Sequence, residues 1–437
     1  MPTFSSFTVP SRSALAVGLV ALVVVLGFVF GPAWDPEPAI SSPQSASAPT
    51  LLSDAPSAAL TAGSAASGRA ADPVAAKALS SQPLELPAGT PLWLQQLARQ
   101  PVCTTLERQR KAAGGGSMVS GGPAWAGEGR KRVQERIQQV ADRLAASPDA
   151  ELHVLGLMLL RQHEALSQEA LQQHSAVAGD GLLRLCEAWE QGFSEKPPPR
   201  PAVCAHLTPE QAWALNTVDR FGLALQGLAA ARDEAAADLW LERATQNSPR
   251  ITLLDRLAAA LLAHAPPEWT PEDRADLALL GVALWSSQVM PSLQGLTRAC
   301  RPDSAPAGSL RQQRCLAVAE ALDRPPNTHL AAMIAQRLGE WHGWSLERLQ
   351  RRHVELTAGT VASIGLIPTP AAHQEAPDVC TWLPRLRDHT VLLATQGEVV
   401  ALADGVRRSG KTLHQWAQEL PPFQARPWQA PASSPSQ

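Results

Sequence analysis

The amino-acid sequence predicts an all-α body of helical hairpins, and three features support this fold class. Apolar residues recur at the spacing of one helix face, as in Val133, Ile137 and Val140. A threonine and a proline followed by an acidic first turn, a typical helix start, occur at 208–211 and 270–273. The chain contains no convincing series of the alternating polar and apolar residues that form strands. The body is therefore expected to consist of helices alone.

Composition limits the class of protein. The chain has 437 residues, of which 45% are hydrophobic, enough to form a real core. Its formal net charge is −3, and no segment is basic enough to indicate a nucleic acid as a partner. Arginine outnumbers lysine and tyrosine is absent, a bias typical of a GC-rich bacterial genome.

One apolar segment near the N-terminus predicts a membrane anchor. Residues 14–30 carry no polar side chain, and as a helix they would span about 25 Å, which the flank ending at Trp34 extends toward the roughly 30 Å of a bilayer core. Arg12 precedes the segment, whereas Asp35 and Glu37 follow it. Because positive flanks stay in the cytoplasm, we expect a single-pass protein of a bacterial inner membrane with its C-terminal bulk in the periplasm.

A cleaved signal peptide is the alternative interpretation of this segment. The apolar run is long for a signal peptide, and Pro32 separates the small residues Gly31 and Ala33 that could imitate a cleavage site. Both interpretations export the remainder of the chain.

These features divide the chain into five parts. Residues 1–13 are expected to form a cytoplasmic tail and 14–34 the transmembrane anchor. Residues 35–89 are rich in Ala, Ser and Pro and bury too little apolar surface to fold, so we expect a disordered linker. Residues 90–422 form the extracytoplasmic helical body, and 423–437 a disordered tail.

The helices of the body are predicted in order from start and stop signals. Thr90 and Pro91 provide an N-cap and a first-turn proline. The glycine-rich stretch 114–122 is expected to be a flexible loop rather than a phosphate loop, because no strand precedes it. A further helix starts at 147–149. Prolines then separate the later helices, at 197–199, 266–267, 291 and 325–326.

Residues 218–251 have the spacing of a known helical repeat. A first helix carries an aromatic and small or apolar residues, and a second helix and a closing proline follow: Phe221, Ala224, Leu225, Leu228, Ala237, Leu241, Ala244 and Pro249. The stretch resembles a degenerate tetratricopeptide repeat in which leucines replace the usual glycine and tyrosine. The resemblance implies a TPR-like α-solenoid with a groove for peptides or partner proteins, and no enzyme activity. A plain antiparallel helix pair is the alternative.

All six cysteines lie in the segment expected outside the cytoplasm: Cys103, Cys186, Cys204, Cys300, Cys315 and Cys380. An even number in an oxidising compartment predicts disulfides. The short separations favour Cys186 with Cys204 and Cys300 with Cys315, each joining two helices across a loop. The remaining two cysteines then pair by elimination. Buried free thiols are one alternative, and a zinc site at Cys204 and His206 is another that the spacing does not favour.

Residues 405–412 match the phosphate-loop pattern G-x-x-x-x-G-K-[ST], with 398–402 as a conceivable preceding strand. Only 25 residues follow the match, too few for the parallel sheet that carries such a loop. We therefore expect a helix over 391–408 that Gly410 ends, and a further helix over 411–420.

Other motifs give no catalytic set. Ser363 lacks the nucleophile-elbow spacing, and His163, Glu164 and His174 lack metal spacing. The aromatic cluster 341–344 is expected to pack at a helix end, with sugar or peptide stacking as the alternative. The basic stripe that follows it is expected to be a solvated face, with an acidic partner site as the alternative: Arg348, Arg351, Arg352 and His353.

Together these observations favour a membrane-tethered binding or scaffold module with an unknown protein or peptide partner. A cell-envelope hydrolase with an unrecognised active site is the second hypothesis, and a deep cleft with an acidic pair of raised pKa would favour it. Nucleotide binding at 405–412 is the third. No catalytic residue, cofactor or metal ligand is assigned from the sequence.

Overall fold

The structure is a computed structural model that describes residues 84–103, 128–172, 175–190, 200–215, 217–286, 293–364 and 379–408, with Thr412 and Gln415. The predicted anchor 14–34, the tail 423–437 and most of the linker 35–89 lie outside these residues, as does the glycine-rich stretch 114–122. Among the described residues no helix is both long and apolar enough to cross a membrane.

The body is all-α, as predicted, and the described part of the chain contains no strand. Its first eight helices are α1 Leu92–Arg99, α2 Glu128–Ala145, α3 Ala150–Leu159, α4 His163–Gln172, α5 Ala176–Glu190, α6 Ala202–Ala205, α7 Pro209–Ala214 and α8 Arg220–Ala230. The others are α9 Glu234–Thr245, α10 Leu253–Ala263, α11 Pro271–Ser286, α12 Leu293–Ala299, α13 Leu310–Asp323, α14 His329–His342, α15 Leu346–Ile364, α16 Val379–Gln396 and α17 Glu398–Arg408.

The helix starts follow the local sequence signals. Thr208 caps α7 by accepting a hydrogen bond from the Gln211 amide, and Gln211 returns one to the Thr208 amide. The same reciprocal box joins Thr252 and Asp255 at the start of α10. Each box satisfies backbone N–H groups that a helix start leaves without partners.

The helices pack as antiparallel hairpins around two hydrophobic cores. Core A is formed by α1–α6, α10, α11 and α16, with fully buried leucines such as Leu144, Leu155 and Leu261. Core B is formed by α8, α9, α12–α14 and the start of α15, with Leu228 and Leu338 fully buried. The apolar faces that make the cores are those of helices adjacent in the chain, α2 with α3, α4 with α5, α8 with α9, α10 with α11 and α13 with α14.

Hairpins that are consecutive in the chain are not always neighbours in space. A solenoid keeps successive hairpins adjacent. Here the α8–α9 hairpin packs against α12 and α13, whereas α10 packs against α1, α11 and α16. Helix α17 lies against α14, α15 and α16 and so joins the two cores.

The predicted helix over 391–408 is two helices. Gly397 separates α16 from α17 with φ of 90°, a left-handed conformation that glycine adopts without strain. A Cβ atom there would lie 2.7 Å from the Asn327 backbone nitrogen. The break lets Asn327 accept a hydrogen bond from the Glu398 amide, so the loop before α14 meets the start of α17.

Three disulfides crosslink the body: the two pairings that the short separations favoured, and the pair that followed by elimination. Cys186–Cys204 joins α5 to α6, and Cys300–Cys315 joins the end of α12 to α13. Cys103–Cys380 joins the segment after α1 to α16 with a Cα–Cα distance of 5.8 Å. No described cysteine is free, so the alternatives of free thiols and of a Cys204 zinc ligand are wrong.

Candidate functional sites: a tryptophan–arginine surface and a buried carboxyl cluster

A stack of tryptophan and arginine side chains lies where α7, α8 and α9 meet. The rings of Trp213 and Trp240 meet edge to face, with centroids 5.8 Å apart. The Arg243 guanidinium lies 4.9 Å from the Trp213 centroid and 4.2 Å from that of Trp240, and Arg220 lies 5.0 Å from Trp213. We call Trp213, Arg220, Arg243 and Trp240 the Trp–Arg surface.

Packing below the surface holds this stack in place. Trp240 is buried and lies flat on Gly227 of α8, where a Cβ atom would be 2.2 Å from the indole ring. Trp213, Arg220 and Arg243 are half-buried, so each offers part of its side chain to solvent. Among the described residues Arg243 has no carboxylate partner, and its Nη1 donates no hydrogen bond. The surface thus combines rigid aromatics with a guanidinium that lacks an ion pair.

The predicted aromatic cluster at 341–344 is a helix-end packing cluster. Gly343 ends α14 in the left-handed conformation, with φ of 101°. Trp344 is buried against Gly339, and His342 Nε2 lies 2.8 Å from the Cys300 carbonyl oxygen. These contacts are internal, and they favour packing over ligand stacking.

Two arginines of the predicted basic stripe, Arg348 and Arg352, form ion pairs within the protein. Arg348 donates hydrogen bonds of 2.6 and 2.9 Å to the two carboxylate oxygens of Glu320 and one of 2.8 Å to Asp323. Arg352 pairs with Asp323 and with Glu355. For these two arginines, carboxylates of α13 and α15 within the protein therefore take the place of the acidic partner considered from the sequence.

The phosphate-loop match falls on a helix. Residues 398–402, considered as a strand, belong to α17, which continues through Gly405 to Arg408. Arg408 donates to Asp404 and to Asp388, so its guanidinium joins α17 to α16. Thr412 accepts a hydrogen bond from the Gln415 amide as a helix cap does. A helix in place of the strand-loop geometry contradicts phosphate binding at this match.

Three single residues remain from the sequence motifs: His163, His174 and Ser363. His163 lies edge to face with Trp189, with centroids 5.3 Å apart, and burial lowers its pKa. His174 is outside the described residues, and Ser363 lies within α15. The described residues contain no group of three or more His, Cys, Asp or Glu placed to hold a metal ion.

A second candidate site is a cluster of charged groups between the two cores. On α5, Arg184 pairs with Glu187 at 3.0 Å and reaches Asp219, the N-cap of α8. Asp219 also accepts a 2.7 Å hydrogen bond from the Gly222 amide. Asp180, one turn before Arg184, is 1% exposed, and its Oδ2 accepts no hydrogen bond. Burial raises the pKa of Asp180 to about 7, although Arg184 opposes the shift.

The cluster continues through α10 to α17. Asp255 accepts hydrogen bonds from Thr252 and, at 2.9 Å, from the Trp285 indole, yet burial raises its pKa. Glu398 accepts a 2.7 Å hydrogen bond from the His329 amide, and burial raises its pKa to about 7, with the Asp255 charge adding to the shift. These interactions link carboxyls of four helices, α5, α8, α10 and α17, in one network that we call the carboxyl junction, formed by Asp180, Glu187, Asp219, Asp255 and Glu398.

Sequence reasoning found neither site. In the sequence Asp219, Asp255 and Glu398 are indistinguishable from ordinary helix-start acids, which occur at most helix N-termini. Trp213 and Arg243 are 30 positions apart, and only the α8–α9 turn brings them together. The one available signal was the tetratricopeptide-like stretch, because α8 and α9 carry three of the four residues of the Trp–Arg surface.

Neither a protein-family model nor a curated protein nor a solved structure matches this chain. The assignment of both sites therefore depends on their geometry and chemistry.

Proposed function

We propose that this chain is a membrane-tethered extracytoplasmic binding or scaffold protein, whose helical body presents the Trp–Arg surface to a protein or peptide partner. The anchor at 14–34 would hold it in a bacterial inner membrane, and the linker 35–89 would let the body stand clear of the bilayer in the periplasm. The Trp–Arg surface is the observation that supports binding most directly.

The disulfides support an extracytoplasmic location independently of the predicted anchor. All six cysteines of the sequence are in disulfides. Disulfides persist in oxidising compartments and are rare in the cytosol. They indicate an extracytoplasmic body, and the charges that flank 14–34 supply the direction of insertion.

Binding is supported by the kind of side chains at the Trp–Arg surface. Tryptophan and arginine are the residue types that most often carry the binding energy of protein interfaces. Fixed aromatics lose little side-chain entropy on binding, and Arg243 is already ordered by two rings. The surface lies on the hairpin that resembles a tetratricopeptide repeat, a family whose helices bind peptides and partner proteins.

Photo-crosslinking in intact cells tests the proposal. A photoreactive amino acid would replace Ala214, an exposed residue of α7 next to Trp213, in the full-length chain. We expect one discrete crosslinked partner, and we expect Arg243→Ala to reduce the crosslink at least tenfold. The same amino acid at Arg143, exposed on α2, is the matched control and should give no such product.

Two outcomes would contradict binding at this surface. One is an equal yield of products from the positions 214 and 143. The other is a discrete product that Arg243→Ala leaves unchanged while circular dichroism shows the variant to be folded.

A cell-envelope hydrolase is the second candidate, and one observation favours it. Glu398 has a raised pKa and stays half-buried, and its Oε1 accepts no hydrogen bond from a described residue, as suits a general acid. The full-length chain in detergent would be incubated with cell-wall fragments, with Glu398→Gln as the inactive comparison. Release of soluble fragments that this variant loses at least a hundredfold would support hydrolysis, and equal release by both chains would exclude a role for Glu398.

A further inference from the structure

Arg243 of the Trp–Arg surface differs from other arginines that stack on tryptophans. Three of these have a carboxylate partner in addition to the ring, and the ion pairs are Arg136–Asp273, Arg337–Glu340 and Arg348–Glu320. Arg243 has two aromatic neighbours, Trp213 and Trp240, and no carboxylate among the described residues. The anionic neighbour that completes the other three environments is therefore missing beside Arg243.

The guanidinium of Arg243 also lacks hydrogen-bond acceptors. Its Nη1 is enclosed and donates to no described residue, while the side chain as a whole is half-buried. A guanidinium has five N–H donors, and a donor that is withdrawn from water without an acceptor is costly. Hydrogen bonds between a guanidinium and a carboxylate are among the strongest in proteins. A carboxylate that approaches Arg243 from the solvent side would therefore bind favourably.

The acidic residues of α9 do not neutralise Arg243, because they face α13. Asp238 pairs with Arg311 at 2.7 Å, and Glu242 pairs with Arg314 at 2.6 Å. At 3.6 residues per turn, Asp238 lies roughly 140° from Arg243 around the helix. The carboxylates of α9 are thus engaged on one side of the helix, and the positive charge of Arg243 remains on the other.

An exposed apolar side chain adjoins Arg243 on the same helix face. Leu239 is 48% exposed and precedes Arg243 by four residues on α9. Side chains at this spacing are neighbours, with Cβ atoms about 5–6 Å apart. A single exposed leucine is ordinary on a protein surface, but one beside a guanidinium without an ion pair gives two different contact points. A partner can therefore be recognised by one charged and one apolar group.

We propose that the partner of the Trp–Arg surface is a helical segment of a protein that carries an acidic and an apolar side chain four residues apart. The aspartate or glutamate carboxylate accepts hydrogen bonds from Arg243, and the apolar side chain covers Leu239. The two side chains of the partner have the same spacing, about 6 Å along the axis, as Leu239 and Arg243 on α9. This inference rests on the proposed binding function and adds the chemistry of the partner.

Binding of two helical peptides to the full-length chain in detergent tests the proposal. Both peptides carry a fluorescent label. The first has a glutamate and a leucine four residues apart on one face, and the second has glutamine in place of the glutamate. Fluorescence anisotropy measures the two dissociation constants. We expect the glutamate peptide to bind about tenfold more tightly, because a hydrogen bond between two charged groups contributes more than one to a neutral amide.

Arg243→Gln should remove this preference, so that the two peptides bind with equal affinity. Arg337→Gln is the matched control, since Arg337 also lies 5.0 Å from a tryptophan centroid but already pairs with Glu340 of its own helix. The control should keep the preference for the glutamate peptide.

Leu239→Ser tests the apolar contact point. It should weaken the binding of both peptides about fivefold, because less apolar surface is removed from water. Leu171→Ser is its control, since Leu171 is 58% exposed on α4 in core A, and this variant should bind as the wild-type chain does.

Two results would overturn the proposal. The first is equal affinity of the wild-type chain for the two peptides, or no measurable binding of either, and it needs no variant to fold. The second is a preference for the glutamate peptide that folded Arg243→Gln retains in full.

These outcomes are distinct from those of the crosslinking experiment at position 214. A discrete crosslink that depends on Arg243, together with equal peptide affinities, would keep the binding function and reject the acidic partner. A preference for the glutamate peptide that depends on Arg243, with no crosslinked partner in cells, would support the chemistry of the site and contradict the binding function.

Discussion

At the scale of single residues, two tryptophans depend on glycines for their positions. Trp240 lies on Gly227 and Trp344 on Gly339, and a Cβ atom at either glycine would be 2.1–2.2 Å from indole carbons. Both tryptophans are buried in core B. A methyl group in either place would force the ring away from its helix, because a packed core has no free volume to accept it.

We predict that Gly227→Ala destabilises the protein by about 1–3 kcal/mol, the usual cost of overpacking a core. It should also weaken the partner crosslink, because Trp240 supports Arg243 of the Trp–Arg surface. Urea unfolding followed by circular dichroism measures the first effect. Gly405→Ala is the control, since its Cβ atom would meet nothing within 4 Å and alanine favours a helix by about 0.5–1 kcal/mol. Equal stability of the two variants would contradict this account of Gly227.

At the scale of helices, two rows of ion pairs, which we call seams, join α13 to α9 and α13 to α15. Arg311 and Arg314 in the first half of α13 reach Asp238 and Glu242 of α9. Acidic side chains in its second half reach Arg348 and Arg352 of α15. Helix α13 thus presents arginines to α9 and carboxylates to α15. These opposite charges fix how far each neighbouring helix is shifted along α13.

We predict that Arg348→Ala lowers the free energy of unfolding by about 1–2 kcal/mol, less than for a fully buried pair because the side chain is 28% exposed. The substitution removes two bonds to Glu320, one to Asp323 and a guanidinium 3.6 Å from the Trp344 ring centroid. Chemical denaturation at low and high salt measures the change.

Arg337→Ala is the matched control for this seam. Arg337 pairs with Glu340 one turn away on the same helix and is 48% exposed, so its loss should cost less than about 0.5 kcal/mol. If both variants lower the free energy of unfolding equally, the ion pairs between α13 and α15 contribute no more to stability than an ion pair within one helix.

Sequence patterns predicted the elements better than their arrangement. Thr208 and Thr270 correctly predicted where α7 and α11 begin, because helix capping is local and depends only on neighbouring residues. The break at Gly397 was missed, since the reason for it is Asn327, which is 70 positions away. The partition of hairpins between two cores was also missed, because periodicity tells which face of a helix is buried and not what covers it.

At the scale of the whole molecule, one disulfide joins residues much farther apart in the sequence than the other two do. Cys186–Cys204 and Cys300–Cys315 close segments with sequence separations of 18 and 15, one in each core. Cys103–Cys380 has a separation of 277, and it ties α1 to α16 within core A. The chain between these two cysteines contains all of core B, so this bond restricts the unfolded ensemble of nearly the whole body.

We predict that Cys103→Ser with Cys380→Ser destabilises the body most among the paired serine variants. In the chain-entropy description the loss is on the order of 5 kcal/mol for this bond and about 3 kcal/mol for either short one, because a longer closed loop restricts the unfolded chain more. Thermal unfolding of the three variants, under non-reducing conditions, should therefore give the lowest Tm for this pair. Cys300→Ser with Cys315→Ser is the control, with a smaller loss that hydrogen exchange should place in core B. A lower Tm for the control would mean that local packing around each bond, rather than loop length, sets its contribution.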